Sequence, residues 1–362
     1  MSAPGVYPLD VAPPAVPARE VIPADYRRSA VLMDTLVTMQ VVGGAAADAA
    51  AAVERAFGWF YEVEARCNRF DPLSEVAQLS ARVGVPTPVS PLLYSVLDFA
   101  LGVARASGGA FDPTLGYDLQ RRGFDRDYRT GRRVAIGIGR SPQRRRGRER
   151  ARGGTNQEEI SATSPPSLRA SAVNVPERAD YRDVRLDPSR QAVTLRRPLL
   201  LDLGAVAKGL AIDLAARELL PCGDFAVDAG GDLYLGGRNP AGERWRVGVR
   251  HPRRADAALA ALGVSGMAIC TSGDYERRSP GAGGGHHLLD PHTGEPAAGA
   301  ASVTVVAPTA MLADALATAA FVLGPERGLR FLERQGVAGL IVTPDLALRA
   351  TSTFAEYQRW PS

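Results

Sequence analysis

The sequence predicts an α+β fold. Three observations carry that expectation. Strand-like and helix-like stretches both recur along the chain, yet they mix without the strict strand–helix–strand repeat of a doubly wound sheet. One stretch, residues 181–195, reads as a hairpin with a polar turn at Asp187-Pro188-Ser189-Arg190. The 362 residues are 45% hydrophobic and 23% charged, enough to bury a large core in one or two domains of ordinary soluble composition.

Residues 1–24 are rich in Pro, Ala and Val and read as a flexible leader, because prolines block regular pairing. Residues 29–42 alternate as one strand. Residues 44–67 form an Ala-rich helix with Val53, Phe57, Phe60, Val63 and Cys67 at helical spacing. Residues 70–74 turn into a shorter helix. Another helix covers 90–106 and stops at Ser107-Gly108-Gly109. Residues 139–171 hold Arg144-Arg145-Arg146, then Gly, Ser, Thr and Pro with no apolar period, and read as a disordered insertion. After the hairpin come a short apolar strand at 199–203, a helix at 206–219 and a strand at 225–227 leading to Gly230-Gly231. Residues 245–249, 266–271 and 302–306 are strands, the last running into a helix that holds Asp314. A helix at 328–334 and a last strand at 338–342 follow. The folded domain is expected over 25–350, with 351–362 as a C-terminal tail.

Composition excludes several classes. The net charge of +4 is small for this length, and much of the basic excess sits in residues 140–152. No aromatic residues interleave with those arginines, which argues against nucleic-acid binding. Cys67, Cys222 and Cys270 are scattered and odd in number, so neither a disulfide framework nor a zinc spacing is expected. The first 25 residues lack a basic start followed by an apolar stretch, and no run of about 18 apolar residues occurs. A cytoplasmic protein without a membrane anchor is the expectation.

Chemistry-bearing residues gather in a few places. Asp314 and Thr318 stand four apart in a helical run, so both oxygens leave one face, an arrangement that suits a hard cation such as Mg²⁺. A polar helix edge gives the same pattern. Asp202-Leu203-Gly204-Ala205-Val206-Ala207-Lys208-Gly209 joins a strand to a helix start, where backbone N–H groups and Lys208 suit phosphate. Gly109-Ala110-Phe111-Asp112-Pro113-Thr114 and Gly230-Gly231-Asp232 are tight turns. Thr271-Ser272-Gly273-Asp274-Tyr275 follows an apolar strand. Residues 284–294 hold His286, His287 and His292, three of the chain's four histidines. A histidine beside phosphate reads as an acid–base group. Phe70 and Phe111 offer flat faces, either to a ring system or to the core.

With Met33-Asp34-Thr35, Phe70-Asp71-Pro72-Leu73-Ser74, His287-Leu288-Leu289-Asp290-Pro291-His292-Thr293-Gly294 and residues 313–318, these stretches resemble the FAD:protein FMN transferase (ApbE) family over about residues 28–344. The resemblance implies a T-fold-like arrangement of mixed, largely antiparallel sheets flanked by helices, with an FAD and metal cleft between lobes. It implies Mg²⁺-dependent transfer of FMN from FAD to a Thr or Ser hydroxyl of a partner flavoprotein, releasing AMP. Met33, Phe70, Ala110, Phe111, Asp112, Asp202, Lys208 and Leu288 would contact FAD. The Ala205 carbonyl, Asp314 and Thr318 would hold Mg²⁺. His287 would be the acid–base residue, and Asp274 would support the same pocket. Two positions depart from the family pattern. Asp34 stands where Gly is usual, and Ala317 stands where some members carry a second acidic residue. An FAD diphosphatase giving FMN and AMP, or a non-catalytic FAD-binding protein, are the alternatives to transfer.

Overall fold

The computed structural model describes residues 25–131, 133, 178–279 and 284–358. The expected leader and the whole of the expected insertion lie outside the described residues.

Strands β1 (Tyr26–Leu32) and β2 (Thr35–Val41) form a hairpin in place of the one strand expected over 29–42. Its two-residue turn is Met33-Asp34, with φ of 50° and 63°. A two-residue hairpin of this kind needs φ above zero at both central positions, usually supplied by Asn or Gly. Asp is among the few other residues that enter this region readily. No glycine marks the turn, so the alternation runs through it unbroken. Asp34, standing where Gly is usual, takes the left-handed conformation a glycine would.

Helix α1 (Ala46–Cys67) buries Ala49, Val53, Ala56, Phe60, Val63 and Cys67 along one stripe. Ser74 caps α2 (Glu75–Ser80), accepting the N–H of Ala77 at 3.2 Å. After β3 (Thr87–Pro88), Ser90 caps α3 (Pro91–Ala106), which begins on a proline and ends at two glycines of positive φ. Short α4 (Gly116–Arg121) follows. Strands β4 (Val184–Asp187) and β5 (Ala192–Leu195) make the expected hairpin, with Asp187 accepting the N–H groups of Ser189 and Arg190.

Residues 199–203 are not a strand. Leu200 makes a single bridge to Leu115, while Leu199, Leu200, Leu201 and Leu203 are all buried. The apolar run reports burial, and among the described residues it pairs with no strand beyond that bridge. It leads into α5 (Gly204–Leu219). Then come β6 (Phe225–Ala229), β7 (Asp232–Gly236), β8 (Trp245–Arg250), β9 (Ala258–Val264), β10 (Met267–Gly273) and β11 (Ser302–Ala307). Helices α6 (Ala310–Leu323) and α7 (Pro325–Gln335) precede β12 (Ala338–Val342) and β13 (Leu348–Ala350).

Eight strands form one antiparallel sheet in the order β1-β2-β6-β7-β10-β11-β12-β13. The α+β expectation holds. Alternate side chains feed two cores, as strand geometry requires. Val227, Cys270, Val305 and Ile341 face the helices, while Ile269, Val306, Leu340 and Val342 face the β8–β9 ribbon. The expected C-terminal tail belongs to the second core. Residues Ser352–Glu356 form a 3-10 turn, and Phe354 is only 1% exposed within that cluster.

Candidate active site

The site grows from the seam between α5 and α6. Ala205, Gly209 and Asp213 follow one another at four-residue steps on α5, and Ala310, Asp314 and Thr318 do the same on α6. Asp213 accepts the N–H groups of Ala310 (2.6 Å) and Met311 (3.0 Å). A Cβ on Gly209 would lie 2.5 Å from Met311 Cα, so only glycine allows the backbones this close. One turn further, Lys208 Nζ lies 3.9 Å from Asp314 Oδ2. Contacts between the two helices thus run from Asp213 through Gly209 to Lys208 on α5 and from Ala310 to Asp314 on α6. The hydroxyl of Ser272, from β10, is 3.1 Å from that of Thr318.

Asp314 is 7% exposed, and its Oδ2 has no hydrogen-bond partner among the described residues. Burial raises its pKa, against the opposing pull of Lys208 and Arg277. A buried carboxylate oxygen without a hydrogen-bond donor, one turn from the Thr318 hydroxyl on the same helix, offers oxygen ligands of the kind a hard divalent cation takes. Lys208 is also tightly paired with Asp232, at the start of β7. That carboxylate, delivered by the Gly230-Gly231 turn, offsets the cost of a cation near the N-terminal end of α5.

Asp202 sits just before α5. Its Oδ1 accepts the Gly204 N–H at 3.0 Å and its Oδ2 accepts from Arg69 Nε. Burial opposes its ionisation, but the Arg69 guanidinium and the Gly204 N–H outweigh that and hold its pKa below the usual carboxylate value. Arg69 also lies over the Phe70 ring, 4.0 Å from its centroid. Sequence reasoning missed Arg69, although it stands next to Phe70 and is 6% exposed.

The two adjacent histidines divide their work. His286 accepts the Leu288 N–H at Nδ1, so its Nε2 donates to the Ala297 carbonyl at 3.0 Å, which makes it a structural group. His287 leaves its buried Nδ1 without a hydrogen-bond partner among the described residues. Desolvation, helped by Arg277 and His286, pushes its pKa down to about 3. Near neutrality the ring is therefore uncharged. Arg277 ties the cluster together: it perturbs Asp202, His287 and Asp314, and its guanidinium is 3.6 Å from Asp34 at the turn beside Met33. Its place two residues after Tyr275 is the one local signal that could have found it.

Other expected contacts fall differently. Phe111 is 4% exposed within the main core, so its ring packs and presents no face. Asp112 is spent on local structure, accepting from the Thr114 N–H and hydroxyl and from the Tyr181 N–H. Ala110 and Leu288 are buried, and Met33 packs partly against the core. Asp274 is held in a bidentate pair with Arg253 at 2.6 and 2.7 Å, which braces the end of β10. Beside the histidine loop lies a cavity of about 520 Å³ lined by Arg121, Arg122, Arg178, Thr293 and Glu295 among others. Arg122 donates to the Gly294 carbonyl at 2.9 Å and so fastens that loop to the end of α4. No described helix is long and apolar enough to cross a membrane.

Comparison with known proteins gives a consistent result. The family model described as the ApbE family matches residues 33–341. The FAD:protein FMN transferase of Treponema pallidum is 32% identical, over 92% of this chain and 89% of that protein. That of Haemophilus influenzae is 27% identical, over 78% of this chain and 75% of its own. The crystal structure of the ApbE protein from Thermotoga maritima matches with a TM-score of 0.73 at 27% identity, covering 93% of this chain and 100% of the other. The apo flavinyl transferase ApbE of Pseudomonas stutzeri shares the fold, with a TM-score of 0.71 at 23% identity over 95% and 100% of the two chains.

Proposed function

The chain belongs to the ApbE family, and from that premise we propose that it is an FAD:protein FMN transferase working at the α5–α6 seam. It takes FAD, passes FMN to a Thr or Ser hydroxyl of a partner flavoprotein, and releases AMP. The observation that carries this reading is the buried Oδ2 of Asp314, which has no hydrogen-bond partner among the described residues and faces Lys208 Nζ at 3.9 Å.

Each group has a part. The N-terminus of α5 and Lys208 receive the diphosphate, whose charge favours both. Met33 and Phe70 border the flavin nucleotide, and Asp202, kept ionised by Arg69, offers an acceptor to its polar groups. Asp314, Thr318 and the Ala205 carbonyl hold Mg²⁺, which when bound neutralises charge on the diphosphate oxygens. The acceptor hydroxyl attacks the phosphorus of the FMN half. A new O–P bond forms there, and the P–O bond to AMP breaks. The hydroxyl proton passes to the neutral Nδ1 of His287, and AMP leaves with the bond electrons on its phosphate. Asp274 stands behind this arrangement through its pair with Arg253.

Product analysis with FAD and Mg²⁺, with and without an acceptor flavoprotein, tests the proposal. Covalent FMN on the acceptor, matched by AMP, is expected. FMN and AMP formed equally well without acceptor would make the protein a diphosphatase. Bound FAD with no AMP under either condition would make it a carrier.

A further inference from the structure

Asp213 has no part in the chemistry above, yet it is the most committed polar group on α5. It is 9% exposed, and both its oxygens point at the first turn of α6. Three N–H groups of that turn lack helical partners. Thr309 takes the one of Leu312 at 3.3 Å, as a local cap. Asp213 takes those of Ala310 and Met311 from another helix, 97 and 98 residues away in sequence. Gly209 lies one turn before it and presses its backbone against the same two residues.

We infer that Asp213 is a positioning residue for the metal-binding pair: by accepting both N–H groups it fixes α6 along α5 and so sets Asp314 and Thr318 against Ala205. The inference rests on the metal reading of the seam. Beyond the Asp213 contact, Lys208 of α5 lies 3.9 Å from Asp314 of α6, and Ala205 and Thr318 stand one turn further along their own helices. A slip or tilt at the Asp213 contact moves the carbonyl of one helix relative to the carboxylate and hydroxyl of the other. Two acceptor oxygens are needed, and only a carboxylate supplies both. Burial lifts the Asp213 pKa to about 6, against the two N–H groups and Arg217, so it is ionised at neutral pH. Tyr234 of β7 and Cys270 of β10 are the other titratable groups that feel it.

The test is Mn²⁺ binding followed by electron paramagnetic resonance, on the whole chain. Asp213→Asn keeps the shape but turns one acceptor into a donor facing an N–H. It should weaken Mn²⁺ binding about 10- to 100-fold, the usual effect of losing a group that orients a ligand. FAD binding without metal, read by flavin fluorescence, should stay within about twofold. Thr309→Ala removes the local cap of the same turn and should leave Mn²⁺ affinity unchanged. Equal loss in both variants would reduce Asp213 to an ordinary cap and overturn the inference, as would unchanged affinity in Asp213→Asn. Should Asp213→Asn not fold, hydrogen exchange on the wild-type chain decides. Saturating Mn²⁺ should slow exchange at Ala310 and Met311, because coupling between the two sites is reciprocal. Unaltered exchange there overturns the proposal. No Mn²⁺ binding by the wild-type chain removes the metal reading itself and this inference with it, whereas intact binding that ignores Asp213 removes only this inference.

Discussion

At the scale of single residues, His287 is the group whose surroundings say most about its use. Its pKa of about 3 lies below the 6.5 of a free imidazole, chiefly through desolvation. The unfolded chain therefore binds more protons between those values. The stability contributed by the neutral ring is present above pH 6.5 and lost as the pH falls toward 3. Urea midpoints of wild type and His287→Gln, measured from pH 7.5 to 4, should diverge below about 6.5, with the wild type losing more. Parallel curves would show that the ring is not held neutral. His287→Ala should bind FAD normally and lose transfer by about 10²- to 10⁴-fold, the range for a positioned general base. Near-normal transfer by that variant would remove His287 from the chemistry.

At the scale of elements, the α5–α6 contact depends on Gly209. Replacing a helical Gly by Ala ordinarily gains up to about 1 kcal/mol. Here the added methyl meets Met311 backbone at 2.5 Å, and backbone cannot swing aside as a side chain does. Overpacking of this kind costs about 1–3 kcal/mol, so the net change should be destabilising. Gly209→Ala should therefore lower the urea midpoint and the Mg²⁺-dependent rate together. Gly58 in α1 has open space around its Cβ position, so Gly58→Ala should stabilise by about 0.5–1 kcal/mol and leave the rate alone. If the two variants behave alike, the close approach is not what the seam needs. The sequence made the helices legible because their apolar spacing and caps are local: Ser74, Ser90 and the glycines after α3 mark their ends. It hid the contacts that join them. Nothing local in the sequence marks Asp213, whose hydrogen-bond partners are Ala310 and Met311 on α6. Asp202 and Arg69 are 133 residues apart. The Ala-rich β9 has a single β-branched residue, Val264 at its end, and the hairpin at Met33-Asp34 lacks a glycine.

At the scale of the whole molecule, the large sheet separates two cores, and only the helix-side one underlies the site. The helices that carry Asp314, Thr318 and Lys208, and Leu288 of the histidine loop, all pack on that side. The opposite core is closed by the β8–β9 ribbon and by Phe354. Phe354→Ala should cost about 3–5 kcal/mol, as large-to-small changes at fully buried aromatics do. At a temperature where the variant is still folded, its half-saturating Mg²⁺ concentration should match the wild type. A shifted concentration would mean the two cores are coupled through the sheet. The family resemblance was legible because its residues sit in short unbroken stretches, while roles within them depended on burial. Phe70 and Phe111 look alike in sequence, and only the fold separates a ring beside Arg69 from one inside the core.

The central claim is that Asp314 holds the cation on which FMN transfer depends. The direct measurement is the mass of an acceptor flavoprotein after incubation with FAD, across a Mg²⁺ titration, for wild type and Asp314→Asn. Saturable, Mg²⁺-dependent flavinylation by the wild type is expected, abolished by chelation. Asp314→Asn should need far more Mg²⁺ or give no adduct. Flavinylation by Asp314→Asn at the wild-type rate and Mg²⁺ concentration, or wild-type transfer undiminished by chelation, would contradict the account.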